Sequence, residues 1–252
     1  MNHQEALFRY LLRLGDSSLI LAQRLAEWTG HGPFLEEDLA LTNISLDTFG
    51  QARSILEYAG KIEGKGRTED HLAFHRGERE FYNALLVEQP NGDYAKTIVR
   101  QTMMDVFDFY YYTELLKSTD ETLAGIAGKS IKEITYHLRH SSAWLDRFGN
   151  GTEESHVKAQ DALNELWRFS SDLFENDESN AAMEKAGIAP SIEKIKKHWD
   201  EKMNELIGSS GLKKPEDGFQ VKGSREGIHT EHLGFLLAEM QHLPRMYPEA
   251  KW

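Results

Sequence analysis

The stretch from Asp93 to Phe148 limits what this chain can fold into more than any other. It reads DYAKTIVRQTMMDVFDFYYYTELLKS, then a short break, then ETLAGIAGKSIKEITYHLRHSSAWLDRF. Apolar residues recur every three or four positions in both halves, which predicts two long helices back to back. Asp105 falls in the middle of the first, and Glu133 and His137 fall in the middle of the second. An acid on one helix and an acid with a histidine on the next is the side-chain chemistry of a metal site inside a helix bundle. The question is whether the set is complete.

The remaining sequence supports an all-α chain. Leu, Ala, Glu and Lys recur at helical spacing, only 6 residues are Pro, and no alternation of β-branched residues competes with that period. A length of 252 residues allows a sizeable core. The absence of Cys removes disulfides, thiolate metal sites and cysteine nucleophiles. A net charge of −12 argues against nucleic acid as a partner, because phosphate contacts need a basic surface. The N-terminal MNHQEALFRYLLRLGD reads as neither a signal peptide nor an anchor, and no apolar run reaches the ~20 residues that span a bilayer. The expectation is a cytoplasmic protein without a membrane segment.

In chain order, the first predicted helix covers residues 4–28, with Leu7, Leu11, Leu14, Leu21, Leu25 and Trp28 as its stripe. The second covers 35–62, with Leu35, Leu39, Leu46, Phe49 and Leu56 as its core face and Asp47 one step off it. A third is expected over 70–87, ended by the turn sequence EQPNGD. The helices of the opening stretch follow as fourth and fifth. A sixth is expected over 153–175, a short helix and another over 192–207 come next, and the last is expected over 230–246 with Pro244 weakening its final turn. Residues 208–227 read as irregular. No repeat or linker divides the chain, so a single ferritin-like domain over 1–252 is expected: helices two to five as an antiparallel four-helix bundle, the rest flanking it.

A carboxylate di-metal bundle takes a lone acid from one helix and Glu-x-x-His from the next, twice over. Residues three apart on a helix share a face and can hold one ion together. Three residues before His137 stands Ile134, which cannot ligate; Glu133 stands four before it. In the other half Asp47 is a candidate lone acid, but the third helix offers no Glu-x-x-His. Arg76 and Arg79 are expected on one face of that helix, where a cation would replace the metal's charge and pair with Asp47 or Asp105. The alternatives are a degenerate site closed by ion pairs and hydrogen bonds, and an independent di-metal oxidase or oxygenase using Asp47, Asp105, Glu133 and His137.

Other motifs carry less. Glu153 with His156 and Glu239 with His242 match the spacing without a partner acid. His229, Glu231 and His232 precede the last helix and fit either a metal site or a polar, partner-facing helix start. Lys213, Lys214, Lys222 and Arg225 form a basic loop that suits the phosphates of an anionic ligand, or simply solvent. The Tyr110–Tyr112 run, Trp144, Trp167 and Trp199 read as packing residues. No phosphate-binding glycine loop and no Ser-His-Asp pattern occurs.

Four longer segments, LVEQPNGDYAKTIVRQ, SIKEITYHLRHSSAWLDRFGNGT, LWRFSSDLF and GIHTEHLGFLLAEMQHL, together with NISLDTFGQAR, resemble the C subunits of the bacterial ring 1,2-phenylacetyl-CoA epoxidases. The resemblance runs over essentially the whole chain. It implies a ferritin-like fold and a non-catalytic, structural subunit of the monooxygenase complex of aerobic phenylacetate degradation. It further implies a heterodimer with the A subunit, which carries the di-iron centre and has Glu where Ile134 stands here. A reductase subunit would deliver NADPH-derived electrons to that partner. The resemblance implies no cofactor held by this chain, ligand-like positions at Asp47, Asp105 and His137, and no catalytic residue.

Overall fold

The computed structural model describes residues 1–216, 218–248 and 250. Among these residues every regular element is a helix, which is consistent with a ferritin-like helical fold. The helices are α1 (His3–Ala26), α2 (Leu35–Glu63), α3 (Glu69–Phe74), α4 (Tyr94–Leu115), α5 (Glu121–Gly149), α6 (Glu153–Leu166), α7 (Glu178–Lys185), α8 (Ile192–Ser209), α9 (Glu231–Met240) and α10 (His242–Met246). Short 3-10 turns occur at Glu78–Glu80, Trp167–Phe174 and Ser224–Glu226. No helix among the described residues is long and apolar enough to cross a membrane. The chain divides into two compact units: Met1–Pro90 with Asp177–Met183 and Gly223–Trp252, and Asn91–Asn176 with Glu184–Lys222.

The first unit is built on the antiparallel pair α1 and α2. A capping box between Asn2 and Glu5 starts α1, and its leucines are buried as the spacing predicts. Gln51 donates to the Ser18 hydroxyl at 3.0 Å and Ser45 to the Ala22 carbonyl at 2.9 Å, which fixes the antiparallel register. At Gly15 a Cβ would stand 2.7 Å from a Leu56 methyl, so glycine lets the helices close on each other.

The core face of α2 differs from the expectation. Leu56 is buried, Phe49 is half-buried, and Leu35, Leu39 and Leu46 are exposed. The buried face is instead Leu41, Ile44, Ser45, Thr48, Ala52, Ile55, Leu56 and Ala59. These residues are mostly small or β-branched, and small residues permit the close approach to α1 that a row of leucines would prevent.

The third helix also differs. It ends at Phe74, and residues 81–89 form a buried, non-helical strap in which Phe81 and Ala84–Gln89 are buried almost consecutively. Groups on α1 satisfy the strap's backbone: Asp16 accepts from the Tyr82 amide at 3.0 Å and Ser17 from the Ala84 amide at 3.1 Å. Arg76 and Arg79 therefore share no helix face.

The second unit is built on the antiparallel pair α4 and α5. Asp93 and Asp120 cap their N-termini by accepting from the Lys96 and Leu123 amides. Tyr94 packs edge-on against Trp144 and Phe148, with centroids 5.4 and 5.9 Å away. From α8, Trp199 donates to the Met103 carbonyl at 2.9 Å. The four long helices are thus α1, α2, α4 and α5, two pairs in two units, rather than helices two to five of the expectation. The expected sixth helix tightens to 3-10 geometry after Leu166, and the last one breaks at Gln241, whose side chain donates to the Ala73 and Arg76 carbonyls.

Candidate functional site

The buried face of α5 runs through Ser130, Ile134, His137, Ser141 and Leu145. This register places Ile134, not Glu133, at the inward position next to His137; Glu133 is half-buried at its edge. A purely apolar side chain therefore occupies the point where a Glu-x-x-His pair needs its carboxylate. Facing α5 from α4, Asp105 is almost fully buried and accepts two hydrogen bonds at 2.7 Å, from the Gln101 side-chain amide and from the Ser141 hydroxyl. Both donors are neutral. Burial pushes the Asp105 carboxyl up to about 7, and the two hydrogen bonds oppose that rise. Asp108, one turn on, is also raised, by burial and then by the charge of Asp105.

A di-metal centre needs inward ligand oxygens that are ionised and open. Here Asp105 has both oxygens engaged by hydrogen-bond donors, and position 134 supplies no donor atom. Among the described residues no group of three His, Cys, Asp or Glu side chains is placed to hold a metal ion. The residues present do not fit the di-iron group. Asp47, half-buried on α2, belongs to the first unit; Asp105, Glu133, Ile134 and His137 belong to the second.

The expected internal cation is real, but its partner is different. Arg76 is buried and forms a two-pronged ion pair with Asp16, one arm at 3.0 Å, while also donating to the Leu72 and Glu80 carbonyls. Its guanidinium lies 4.2 Å from the centroid of Phe81. Arg79 is exposed and donates to the Gly227 carbonyl at 3.3 Å. Sequence reading passed over Asp16. Its signal was an acid set among the leucines of α1, where only a paired carboxylate is tolerable.

The His229 cluster separates. The His229 ring is sealed between the Glu88 carboxylate and the Phe81 carbonyl, 2.9 Å from each. Glu88 also accepts from Asn83 at 2.9 Å and from the Thr230 amide and hydroxyl at 2.6 and 2.7 Å. Burial alone would lower the His229 pKa; the hydrogen bond and charge of Glu88 outweigh it and raise the value. Glu231 is exposed in the first turn of α9, and His232 is half-buried.

The basic loop is similarly divided. Lys213 is exposed, Lys214 lies 5.5 Å from the Trp167 ring centroid, and Lys222 pairs with Glu175 at 3.7 Å, all in the second unit. Arg225, in the first unit, is buried. His156 is a local cap, its Nδ1 2.7 Å from the Gly149 carbonyl. Two clefts open in the first unit, of about 430 Å³ beside Glu78, Gln241 and His242, and of about 550 Å³ beside His71, His75 and Tyr247.

The chain is similar to the C subunit of the 1,2-phenylacetyl-CoA epoxidase of Escherichia coli (strain K12), at 49% identity over 243 residues, covering 96% of this chain and 98% of that protein. The family described as Phenylacetic acid catabolic protein matches residues 1–252, and this chain belongs to it.

Proposed function

We propose that this chain is the non-catalytic, structural subunit of the oxygenase that epoxidises the aromatic ring of phenylacetyl-CoA in phenylacetate catabolism. Its role is to stabilise and help shape the di-iron catalytic subunit, to which a reductase passes NADPH-derived electrons. It works in the cytoplasm and holds no cofactor of its own. The observation that carries this reading is Asp105: a buried acid with both oxygens taken by Ser141 and Gln101, beside an inward Ile134. The similarity to a protein named as part of such an epoxidase supports the choice of complex.

The test is elemental analysis of the chain expressed alone under iron-replete conditions, followed by co-expression with the catalytic subunit. The expected result is well below one iron per chain and a stable complex. About two irons per chain, lost in His137→Ala, would overturn the reading.

A further inference from the structure

An imidazole ring carries one N–H when neutral and two when protonated, so the partners of its nitrogens count its protons. The His229 ring has an acceptor at each end: Nδ1 lies 2.9 Å from the Glu88 carboxylate and Nε2 lies 2.9 Å from the Phe81 carbonyl. A backbone carbonyl can only accept. The Glu88 carboxylate is held as an acceptor too, because a fixed donor meets each of its oxygens, the Asn83 side-chain amide on Oε2 and the Thr230 backbone amide on Oε1. The Thr230 hydroxyl adds a further contact to Oε1. Neither side chain of the His229–Glu88 pair is exposed, so solvent does not stand in for a missing proton. A neutral ring would turn a lone pair toward one of these oxygens in a dry place, which costs an unsatisfied buried contact.

The charged groups around the ring favour the second proton. Glu88 on the strap touches it, and Asp16 on α1 acts in the same direction while itself paired with Arg76. Burial opposes the charge and is outweighed. Glu231, in the first turn of α9, is exposed.

The pair also joins two distant parts of the chain. The strap side is anchored on α1, where Arg24 donates twice to the Glu88 backbone carbonyl, at 3.2 and 2.8 Å, and Asp16 accepts from the Tyr82 amide. The other side, His229 with Thr230 at the N-cap of α9, reaches this strap residue through its contacts to Glu88. We propose that His229 is a resident imidazolium and that its pairing with Glu88 and the Phe81 carbonyl is a pH-sensitive latch, which ties the start of α9 to the strap and lets go when the ring loses one proton. The proton facing Phe81 leaves first, to solvent as the segment opens, because the one facing Glu88 lies against a negative charge. The bare Nε2 then repels the Phe81 carbonyl, and His229 and Thr230 withdraw from the strap. The latch does not depend on the structural-subunit reading.

The test uses the full chain labelled with nitrogen-15, with long-range proton–nitrogen spectra of the histidine rings from pH 5.5 to 9. The His229 signals are those lost in His229→Gln. Both ring nitrogens are expected to be protonated at pH 7, with a titration midpoint above the ordinary 6.5. Glu88→Gln, which keeps the size of the side chain and removes its charge, is expected to lower that midpoint by at least one pH unit. Hydrogen exchange of the wild type is expected to show the protection factor of the Thr230 amide falling at least 10-fold across the midpoint. An unprotonated ring nitrogen at pH 6, or an unchanged midpoint in Glu88→Gln, overturns the resident imidazolium. A Thr230 protection factor that stays flat from pH 6 to 9 overturns the latch, and this measurement needs no variant to fold.

Discussion

Replacing Asp105 by asparagine should make the chain more stable at pH 8 than the wild type, and the advantage should shrink as pH falls. Free in an unfolded chain the carboxyl titrates near 3.8; folded, burial raises it to about 7. Between these values the native state holds a proton that the unfolded state has lost, so stability falls as pH rises through the window. From the linkage relation the cost is on the order of 2 kcal/mol at pH 5 and 4 kcal/mol at pH 8, a difference of about 2–3 kcal/mol. Asparagine is isosteric and keeps both contacts: its carbonyl accepts from Gln101, and its amide donates to the Ser141 hydroxyl, whose own hydrogen is then free for the Leu138 carbonyl at 3.4 Å. Loss of the Asp105 charge also relieves Asp108, which adds in the same direction.

Guanidinium unfolding of both proteins at pH 5, 6, 7 and 8 reads this directly. For a chain of this length a difference of about 2–3 kcal/mol corresponds to a relative gain of ~5–10 °C in Tm across the pH range. Parallel stability curves, within about 0.5 kcal/mol from pH 5 to 8, would refute the reasoning, because a carboxylate already neutralised by a cation or a metal shows no such slope.

Arg76→Met should cost about 3–5 kcal/mol in urea unfolding, since it leaves Asp16 buried without its counter-charge, and Arg76→Met with Asp16→Leu should recover a large part of that loss. His229→Gln should destabilise the chain by on the order of 1–3 kcal/mol at pH 6. The gap should narrow as pH rises through the raised His229 pKa, because the pair's stabilisation is complete only below the unfolded value of 6.5. Thermal melts of the two proteins at pH 6 and pH 9 decide it, and a gap that widens with pH would contradict the assignment.

Legibility in the sequence followed the size of the side chains. The leucines of α1 and the long helices α4 and α5 read correctly, because apolar residues recur there every three or four positions. On α2 the same habit chose Leu35, Leu39 and Leu46, and the chain packs the opposite choice, Ala52, Ser45 and Thr48, against α1. Leucine spacing on a helix identifies an apolar face; it does not say whether that face meets its own chain or another. The strap at residues 81–89 was illegible because its burial depends on donors and acceptors brought from α1, Asp16 and Ser17, which local propensity does not register. For the site, the loss of the ligand at 134 could be read from one residue, since helical spacing alone puts position 134 beside His137. The Gln101 contact to Asp105 follows the i,i+4 helix spacing and was there to be read, whereas Ser141 comes from another helix and no spacing rule ties it to that acid.

Three of the chain's buried acids show how a carboxylate is kept inside a helical protein. Asp16 has the Arg76 guanidinium, Glu88 has the His229 ring with three further donors, and Asp105 has two neutral donors. A cation held against a buried acid stabilises the charged form of that acid, whereas neutral hydrogen bonds offset only part of the desolvation cost. The Asp105 carboxyl is accordingly driven up to about 7. In a metal-binding bundle the ion is the cation that keeps such an inward acid ionised. With Ile134 at the partner position no ligand atom stands there, and both oxygens of Asp105 are already taken by Gln101 and Ser141. The substitution at 134 and the hydrogen bonds at Asp105 therefore act in the same direction. Restoring glutamate at 134 alone should leave the site without iron, measured by elemental analysis, because Gln101 and Ser141 still occupy both oxygens of Asp105; stoichiometric iron in Ile134→Glu would show that the ligand at 134 was the only thing missing.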